Sequence, residues 1–286
     1  MLSTKHLLWY ALACVSQITS GLAYPKPALP ASGDLLSELT EGLQGSTEFQ
    51  KSKGFSNGVP LRIMPLGASI TFGHGSKDGN GYRKDLRDMI VQNGNKVNMV
   101  GNNPNGTMKD NESEGWDGYR IEQVHTKAKD SVPKYKPNLI LINAGTNDCI
   151  QDYKMSSAGN RMTDMINDLF DESPKATVIL STLIVNARED IPERIDEYNA
   201  QLRQVASNFQ EAGRSLVLVD MQGKNGPTLD DLISDGIHPN DEGYEKMAQV
   251  WFNGIKEADT MGYLQRADAV KGLGDDGLTS SDPYLR

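Results

Sequence analysis

Short apolar runs alternate with amphipathic stretches along most of the chain, and this pattern predicts its elements. Five runs have the length and composition of β-strands, at residues 61–66, 97–100, 139–142, 177–180 and 216–219. The last three are almost continuously apolar, which is typical of strands covered on both faces. Apolar positions at helical spacing predict four intervening helices, at about residues 82–93, 161–171, 191–212 and 241–258.

This alternation of strands and helices predicts a parallel sheet between two helical layers. The predicted fold class is therefore α/β, a three-layer α/β/α sandwich whose five-stranded parallel sheet has the flavodoxin-like strand order. Sheets of this kind bind ligands outside the carboxyl ends of their strands. We therefore expect functional residues in the segments that directly follow the strands.

The two ends of the chain do not continue the pattern. Residues 1–23 run from Lys5 through a short apolar stretch to small residues at Gly21 and Ala23, the order of a secretory signal peptide, and this predicts export of the protein. A buried N-terminal helix is the alternative, which the shortness of the apolar run disfavours. Residues 24–59 are predicted to be a leader or linker, 60–263 the α/β domain, and 264–286 a poorly ordered C-terminal extension.

Composition and charge exclude several classes of function. The 286 residues contain 29 Lys and Arg against 38 Asp and Glu, and this net charge of −9 argues against nucleic-acid and anionic-membrane partners. Removal of the signal peptide leaves Cys149 as the sole thiol, so no intrachain disulfide is expected. The sequons at Asn105 and Asn111 are expected glycosylation sites in an exported chain. Nothing suggests an obligate assembly, and we expect a monomer.

Three segments that follow predicted strands carry residues suited to acyl transfer. Ser69 follows the first strand, Asn147 the third, and the Asp235–His238 pair the fifth. A serine hydroxyl needs an adjacent base, so we expect His238 to activate Ser69 and Asp235 to orient His238. The Ser69 backbone N–H, a glycine N–H and the Asn147 amide are candidate donors to an oxyanion.

Each of these residues also has a purely structural interpretation. Ser69 could cap a helix, Asn147 could close a turn, and an Asp-x-x-His spacing arises by chance. A catalytic role is favoured because three separate strand ends each carry a residue type that acyl transfer needs. His74 and His125 are interpreted as surface histidines. Cys149 is not expected to act as a nucleophile, because the neighbouring carboxylate raises the pKa of a thiol.

Four segments resemble, in order, the four sequence blocks of the SGNH (GDSL-type) hydrolases. They are Gly-Ala-Ser-Ile-Thr at 67–71, Gly-Trp-Asp-Gly-Tyr-Arg-Ile at 115–121, Gly-Thr-Asn-Asp at 145–148 and Asp-Gly-Ile-His-Pro-Asn at 235–240. The resemblance extends over about residues 61–258. Within the superfamily, segments 64–67, 114–122 and 238–244 are most similar to the acetylxylan esterases of carbohydrate esterase family 3.

The resemblance implies roles for single residues. Ser69 would be the nucleophile, His238 the base and Asp235 its orienting carboxylate, with Gly118 and Asn147 joining the Ser69 amide in the oxyanion hole. Gly115 is the alternative to Gly118. The chain departs from the family in having Ala68 where the first block usually has Asp, which affects the rigidity of the loop rather than the catalytic groups.

The expected function is that of a secreted serine esterase that removes small acyl groups, acetyl foremost, from carbohydrate such as xylan. No cofactor or catalytic metal is implied, although scattered carboxylates could hold a structural Ca²⁺. Lysophospholipase, thioesterase or small-metabolite esterase activity is an alternative, as is an inactive carbohydrate-binding relative. Four aromatic residues could either stack on sugar rings or anchor loops: Tyr82, Trp116, Tyr119 and Tyr153.

Overall fold

A parallel sheet lies at the centre of the protein. The structure, a computed structural model, describes residues 53–277, so the predicted signal peptide and most of the predicted leader lie outside the described residues. The strands are β1 Leu61–Gly67, β2 Val97–Met99, β3 Glu114–Gly115, β4 Leu139–Asn143, β5 Thr177–Ser181 and β6 Leu216–Val219. Their order is β2-β1-β4-β5-β6, every pairing is parallel, and β3 pairs with the carboxyl end of β1. Apart from β3, this is the predicted flavodoxin-like order.

Helices cover both faces of the sheet, which confirms the predicted three layers. They are α1 Ser69–Phe72, α2 Tyr82–Asn93, α3 Ile121–Tyr135, α4 Thr146–Ile150, α5 Ala158–Glu172, α6 Ile191–Glu211 and α7 Asp241–Thr260. Alternate side chains of β1 enter different cores: Ile63 packs with α2 and α7, and Met64 packs with α3, α5 and α6. Because side chains point alternately to the two faces of a strand, each continuously apolar strand stabilises both cores.

Four elements were not predicted: the short helices α1 and α4, the helix α3 and the strand β3. Helix α3 contains Pro133, a residue that usually ends a helix, but the proline lies only in its last turn. Apolar side chains at positions 121, 124, 128 and 132 of α3 are buried at helical spacing. Strand β3 has only two residues and could not be recognised from periodicity.

The segment 101–113, which contains both sequons, is organised around a buried cation. Arg83 of α2 is fully buried and donates to the backbone carbonyls of Phe72, Gly79, Asn105 and Asn111 at 2.7–3.0 Å. The side-chain nitrogen of the Asn105 sequon also donates two hydrogen bonds, to Phe72 O and Gly79 O, whereas that of Asn111 donates one, to Gly106 O. Among residues 53–277, this conformation leaves one side-chain N–H of Asn111 without an acceptor and therefore available for a glycan, whereas both side-chain N–H groups of Asn105 are used.

The described part of the C-terminal extension packs on the domain. Leu264 is buried, and backbone carbonyls of the extension accept hydrogen bonds from Arg62, Asn98 and Asn138. These three side chains lie at the amino ends of β1, β2 and β4, where polar donors would otherwise need water. The expectation of a poorly ordered extension is therefore wrong for residues 264–277, while 278–286 lie outside the described residues.

At the other end, the last residues of the predicted leader belong to the domain. Phe55 is buried against Phe252, with ring centroids 5.3 Å apart, and its backbone is held by Asn95. Among residues 53–277, no helix combines the length and the apolar character that crossing a membrane requires.

Candidate active site

Ser69 lies at the carboxyl end of β1, where the strand turns into α1. The turn is so tight that a Cβ on Gly67 would collide with the carbonyl oxygen of Asn143 on β4 and with the side chain of Thr71. Two backbone hydrogen bonds hold the turn: His74 N donates to Ser69 O at 3.0 Å and Phe72 N donates to Ala68 O at 2.9 Å. The half-buried Ser69 side chain is thereby fixed at the edge of the sheet where ligands bind in this fold.

His238 and Asp235 approach Ser69 from the loop that precedes α7. His238 Nε2 lies 2.8 Å from Ser69 Oγ, and His238 Nδ1 lies 2.6 Å from Asp235 Oδ2. Because a carboxylate can only accept, the neutral ring carries its proton on Nδ1 and turns the Nε2 lone pair toward the serine hydroxyl. Asp235, His238 and Ser69 thus form a triad, a continuous chain of hydrogen bonds from carboxylate to imidazole to hydroxyl.

Asp235 is held as a carboxylate by its own loop. Its Oδ1 accepts from the backbone N–H groups of Ile237 at 2.8 Å and His238 at 3.0 Å. Burial raises the pKa of Asp235, but the hydrogen bonds from the His238 ring and from these two amides outweigh burial and lower the pKa below its ordinary value. The negative charge that would stabilise an imidazolium is therefore maintained at neutral pH.

The loop that carries this pair is anchored on both sides. Ile233 N donates to His238 O at 2.8 Å, and Asn240 caps α7 by accepting from Gly243 N at 2.9 Å. Gly236 adopts a φ of 71°, a conformation that L side chains rarely take, and its carbonyl accepts from Ala187 N. These constraints fix the direction in which the imidazole points.

Asn147 and Gly118 lie in two further segments at the same edge of the sheet. Asn147 is in the first turn of α4, and its Nδ2 donates to Tyr119 O at 2.9 Å, directly beside Gly118. Gly118 is in an exposed turn with a φ of 76°. Gly115, the alternative oxyanion donor, lies against α1, where a Cβ would collide with Phe72 N. Direct side-chain hydrogen bonds thus join Ser69, His238 and Asp235, whereas Asn147 and Gly118 are linked to each other through Tyr119.

A buried ion pair that the sequence did not indicate supports this second group. Asp148 is fully buried, contacts Arg161 through Oδ1, and accepts from Ile121 N through Oδ2 at 3.0 Å. Burial raises the pKa of Asp148, and the hydrogen bond from Arg161 opposes that rise. Asp148 therefore ties the start of α4, which carries Asn147, to the start of α3, which follows Gly118.

His74 is the residue near the triad that sequence interpretation missed. Its ring packs on that of His238, with centroids 4.2 Å apart and planes at 38°, and its Nδ1 lies 4.0 Å from Asp117 Oδ2. Its position follows from the turn after Ser69, which no spacing between 74 and 238 could reveal. His125, also interpreted as a surface histidine, lies in α3 with a side chain that is only 15% exposed, and its Nε2 is 2.7 Å from Asp168 Oδ2.

Each aromatic residue considered as a sugar platform has an internal contact. Tyr82 is fully buried between the sheet and α7. Trp116 donates its indole N–H to buried Glu114 at 2.8 Å and stacks on Tyr119, while the Tyr153 ring is covered by Arg120 at 4.0 Å. The contacts of Trp116, Tyr119 and Tyr153 are those of loop anchors, whereas Tyr82 lies in α2 and belongs to the core.

Other parts of the described chain offer less suitable chemistry. A groove of about 720 Å³ lies between α2 and α7, and another of about 570 Å³ lies between α3 and α5. Neither is lined by Ser69 or His238, and the second contains the His125–Asp168 pair without a hydroxyl nucleophile. Cys149 is buried. Burial is the larger cause and the charge of Asp148 the next, and together they raise the pKa of the Cys149 thiol to about 12. The arrangement around Ser69 is the one suited to nucleophilic acyl transfer.

Comparison with known proteins agrees with the fold. The chain is 28% identical over 241 residues to a multidomain esterase of Ruminococcus flavefaciens. The aligned region covers 73% of this chain and 29% of that relative. The chain thus spans less than a third of the relative's length.

Solved structures of similar fold include two family 3 carbohydrate esterases. The one from Clostridium thermocellum has a TM-score of 0.63 and 23% identity, covering 71% of this chain and 98% of that one. The one from Talaromyces cellulolyticus has a TM-score of 0.60 and 23% identity, covering 70% and 99%. At these identities the similarity shows the shared fold.

The family model described as GDSL-like lipase/acylhydrolase matches residues 66–246. This range is more than half of the chain and includes every candidate site residue, from Ser69 to His238. The chain therefore belongs to the GDSL-like lipase/acylhydrolase family.

Proposed function

We propose that this protein is a serine esterase that removes small acyl groups, acetyl foremost, from carbohydrate. The observation that carries the proposal is the hydrogen-bond chain from Asp235 through His238 to Ser69, with donor–acceptor distances of 2.6 and 2.8 Å. Membership of an acylhydrolase family and the fold shared with family 3 carbohydrate esterases support it. Export of the protein is part of the same proposal and rests on the pattern of residues 1–23.

In the proposed reaction, Ser69 Oγ attacks the ester carbonyl while His238 Nε2 takes the hydroxyl proton. Asp235 holds the imidazole in place and stabilises the imidazolium that forms. His238 then gives the proton to the departing sugar oxygen, which leaves an acyl group on Ser69. Water attacks this acyl-enzyme, with His238 again as base, and releases the carboxylic acid and free serine.

The negative oxygen that forms during each attack requires hydrogen-bond donors. We assign this role to the backbone N–H groups of Ser69 and Gly118 and to the side-chain amide of Asn147. The amide of Asn147 has two N–H groups, of which Tyr119 O accepts one, so the other remains for the substrate. The Asp148–Arg161 pair would act indirectly, by holding the segments that carry these donors.

An activity panel with Ser69→Ala tests the proposal. Wild-type protein is expected to hydrolyse acetylated xylan, acetylated monosaccharides and p-nitrophenyl acetate, with rates that fall as the acyl chain lengthens. Ser69→Ala is expected to lose this turnover and keep the wild-type circular dichroism spectrum, whereas Ser207→Ala on α6 serves as a matched control with full activity. Retained turnover in Ser69→Ala would refute the nucleophile. Preference for lysophosphatidylcholine or long-chain thioesters would refute the substrate class.

A further inference from the structure

The position of His74 brings a second imidazole to the catalytic edge of the sheet. One nitrogen each of His74 and His238 and one carboxylate oxygen of Asp235 all lie within 4.8 Å of one another. The His74 side chain is 51% exposed, and its carboxylate neighbour Asp117 is 4.0 Å away, which is an ion-pair distance rather than a hydrogen bond. His74 is therefore free to turn toward a ligand shared with His238.

We propose that His74, His238 and Asp235 form a binding site for a zinc-type divalent cation, and that its occupation switches off the esterase. Two imidazoles and a carboxylate are a donor set that Zn²⁺ uses in proteins, commonly with water as the fourth ligand. Calcium and magnesium prefer oxygen ligands throughout and are not expected to bind here. The consequence for activity rests on the proposed function, but the binding site does not.

The dimensions of the cluster suit such an ion. Bonds of roughly 2.0–2.2 Å to nitrogen and oxygen place two ligands of a tetrahedral zinc ion about 3.4 Å apart. The His74 nitrogen lies within 4.8 Å of the other two ligand atoms and therefore needs to approach by at most about 1.4 Å, which rotation of its exposed side chain can supply. His238 Nδ1 and Asp235 Oδ2 are 2.6 Å apart and need to separate by about 0.8 Å as the cation takes the place of the proton between them. The negative charges of Asp235 and Asp117 favour a cation at this position.

Occupation of the site is incompatible with the proposed catalysis, because a cation shared with Asp235 must bind His238 Nδ1, the nitrogen that Asp235 faces. The cation replaces the Nδ1 proton that donates to Asp235 Oδ2 at 2.6 Å, and the neutral ring then carries its proton on Nε2, which faces Ser69. Nε2 can then no longer accept the Ser69 proton, and removal of the ion restores it.

The test compares inhibition by Zn²⁺ in tag-free wild-type protein, His74→Phe, His74→Ala and His125→Ala. His74→Phe keeps an aromatic ring against His238 but has no ligand nitrogen, so it separates packing from cation binding. Each protein is measured with p-nitrophenyl acetate relative to its own rate without metal. We expect both His74 variants to need at least about tenfold more Zn²⁺ for half-inhibition. Loss of a residue that only supports a metal ligand lowers metal affinity by about tenfold or more, and loss of the ligand itself should lower it at least as much. His125→Ala should match the wild type.

Two further measurements make the result decisive. EDTA should restore activity, and Mg²⁺ or Ca²⁺ at the same concentration should not inhibit. Calorimetric titration of Ser69→Ala with Zn²⁺ detects binding without any activity, and adding His74→Phe should abolish it. Equal inhibition or equal binding with and without His74, or a shift caused by His125→Ala, would overturn the proposal. Because the calorimetric result does not depend on turnover, it also separates failure of the cation site from failure of the proposed esterase function.

Discussion

Asn147 contributes a single hydrogen-bond donor that is expected to matter mainly in the transition state. Its first N–H is held by Tyr119 O at 2.9 Å, which aims the second. Asn147→Ala should lower kcat by about 10²–10³ with little change in KM, as is typical for loss of one oxyanion donor. Steady-state kinetics with p-nitrophenyl acetate measures both constants, and circular dichroism verifies the fold. An unchanged kcat would exclude Asn147 from the oxyanion hole.

Cys149 follows the Gly-Thr-Asn-Asp segment directly but is expected to be chemically inert. A thiol attacks only as its thiolate, and a pKa of about 12 leaves almost none of that form at pH 8. The side chain is also fully buried. Native protein at pH 8 should therefore show no iodoacetamide adduct on the Cys149 peptide by mass spectrometry, whereas protein in urea should be labelled. Rapid labelling of the native form would contradict the burial.

His238 could be assigned from the sequence because histidine is rare in this chain and a base needs an orienting carboxylate nearby. After residue 23 the chain has only three histidines, and only His238 stands three residues from an aspartate in a segment after a predicted strand. His74 could not be assigned, because its contact with His238 depends on a turn geometry that local spacing does not encode. Arg161 was missed for the same reason, since its partner Asp148 belongs to another helix.

At the scale of elements, Arg83 connects α2 to the segment 101–113. Arg83→Met keeps an apolar stem but leaves four carbonyl acceptors without their charged donor. We expect the free energy of unfolding to fall by about 3 kcal/mol or more, because hydrogen bonds to charged groups contribute roughly 1.5–3 kcal/mol each. Lys84→Met, one residue further along α2 in an exposed pair with Asp88, is the control and should change stability by no more than about 0.5 kcal/mol. Urea unfolding of both variants makes the comparison, and equal effects would refute this role of Arg83.

The long elements were predictable because burial on both faces produces a continuous apolar signal, and β4, β5 and β6 were located to within one residue. Pro133 concealed α3, although its four buried positions recur at helical spacing. Strand β3 pairs Gly115 with Gly67 of β1 and brings Gly115 close to α1, and no pattern of hydrophobic residues expresses these tertiary contacts. Local periodicity of apolar residues therefore predicts the main strands and helices, whereas the structure of the segments between them depends on contacts between residues distant in sequence.

At the scale of the whole molecule, the candidate active site and the C-terminal extension lie at opposite edges of the sheet. The carboxyl edge carries Ser69, Asn147 and the Asp235–His238 loop. The amino edge is covered by the C-terminal extension, whose carbonyls accept from Arg62 at 2.9 Å and Asn138 at 2.6 Å. Changes at the amino edge are therefore expected to lower the free energy of unfolding without altering the rate of ester hydrolysis.

Removal of residues 264–286 tests this separation. The shortened protein loses a buried leucine and the hydrogen bonds to Arg62, Asn98 and Asn138, and we expect its free energy of unfolding to fall by about 2–4 kcal/mol. Below its melting temperature, kcat and KM for p-nitrophenyl acetate should equal those of the full chain, because the triad lies at the opposite edge. Removal of residues 278–286 alone is the control and should leave the melting temperature unchanged, since the contacts that carry the prediction lie within 264–277. A shortened enzyme with full stability, or one that is stable but slow, would show that the extension has another role.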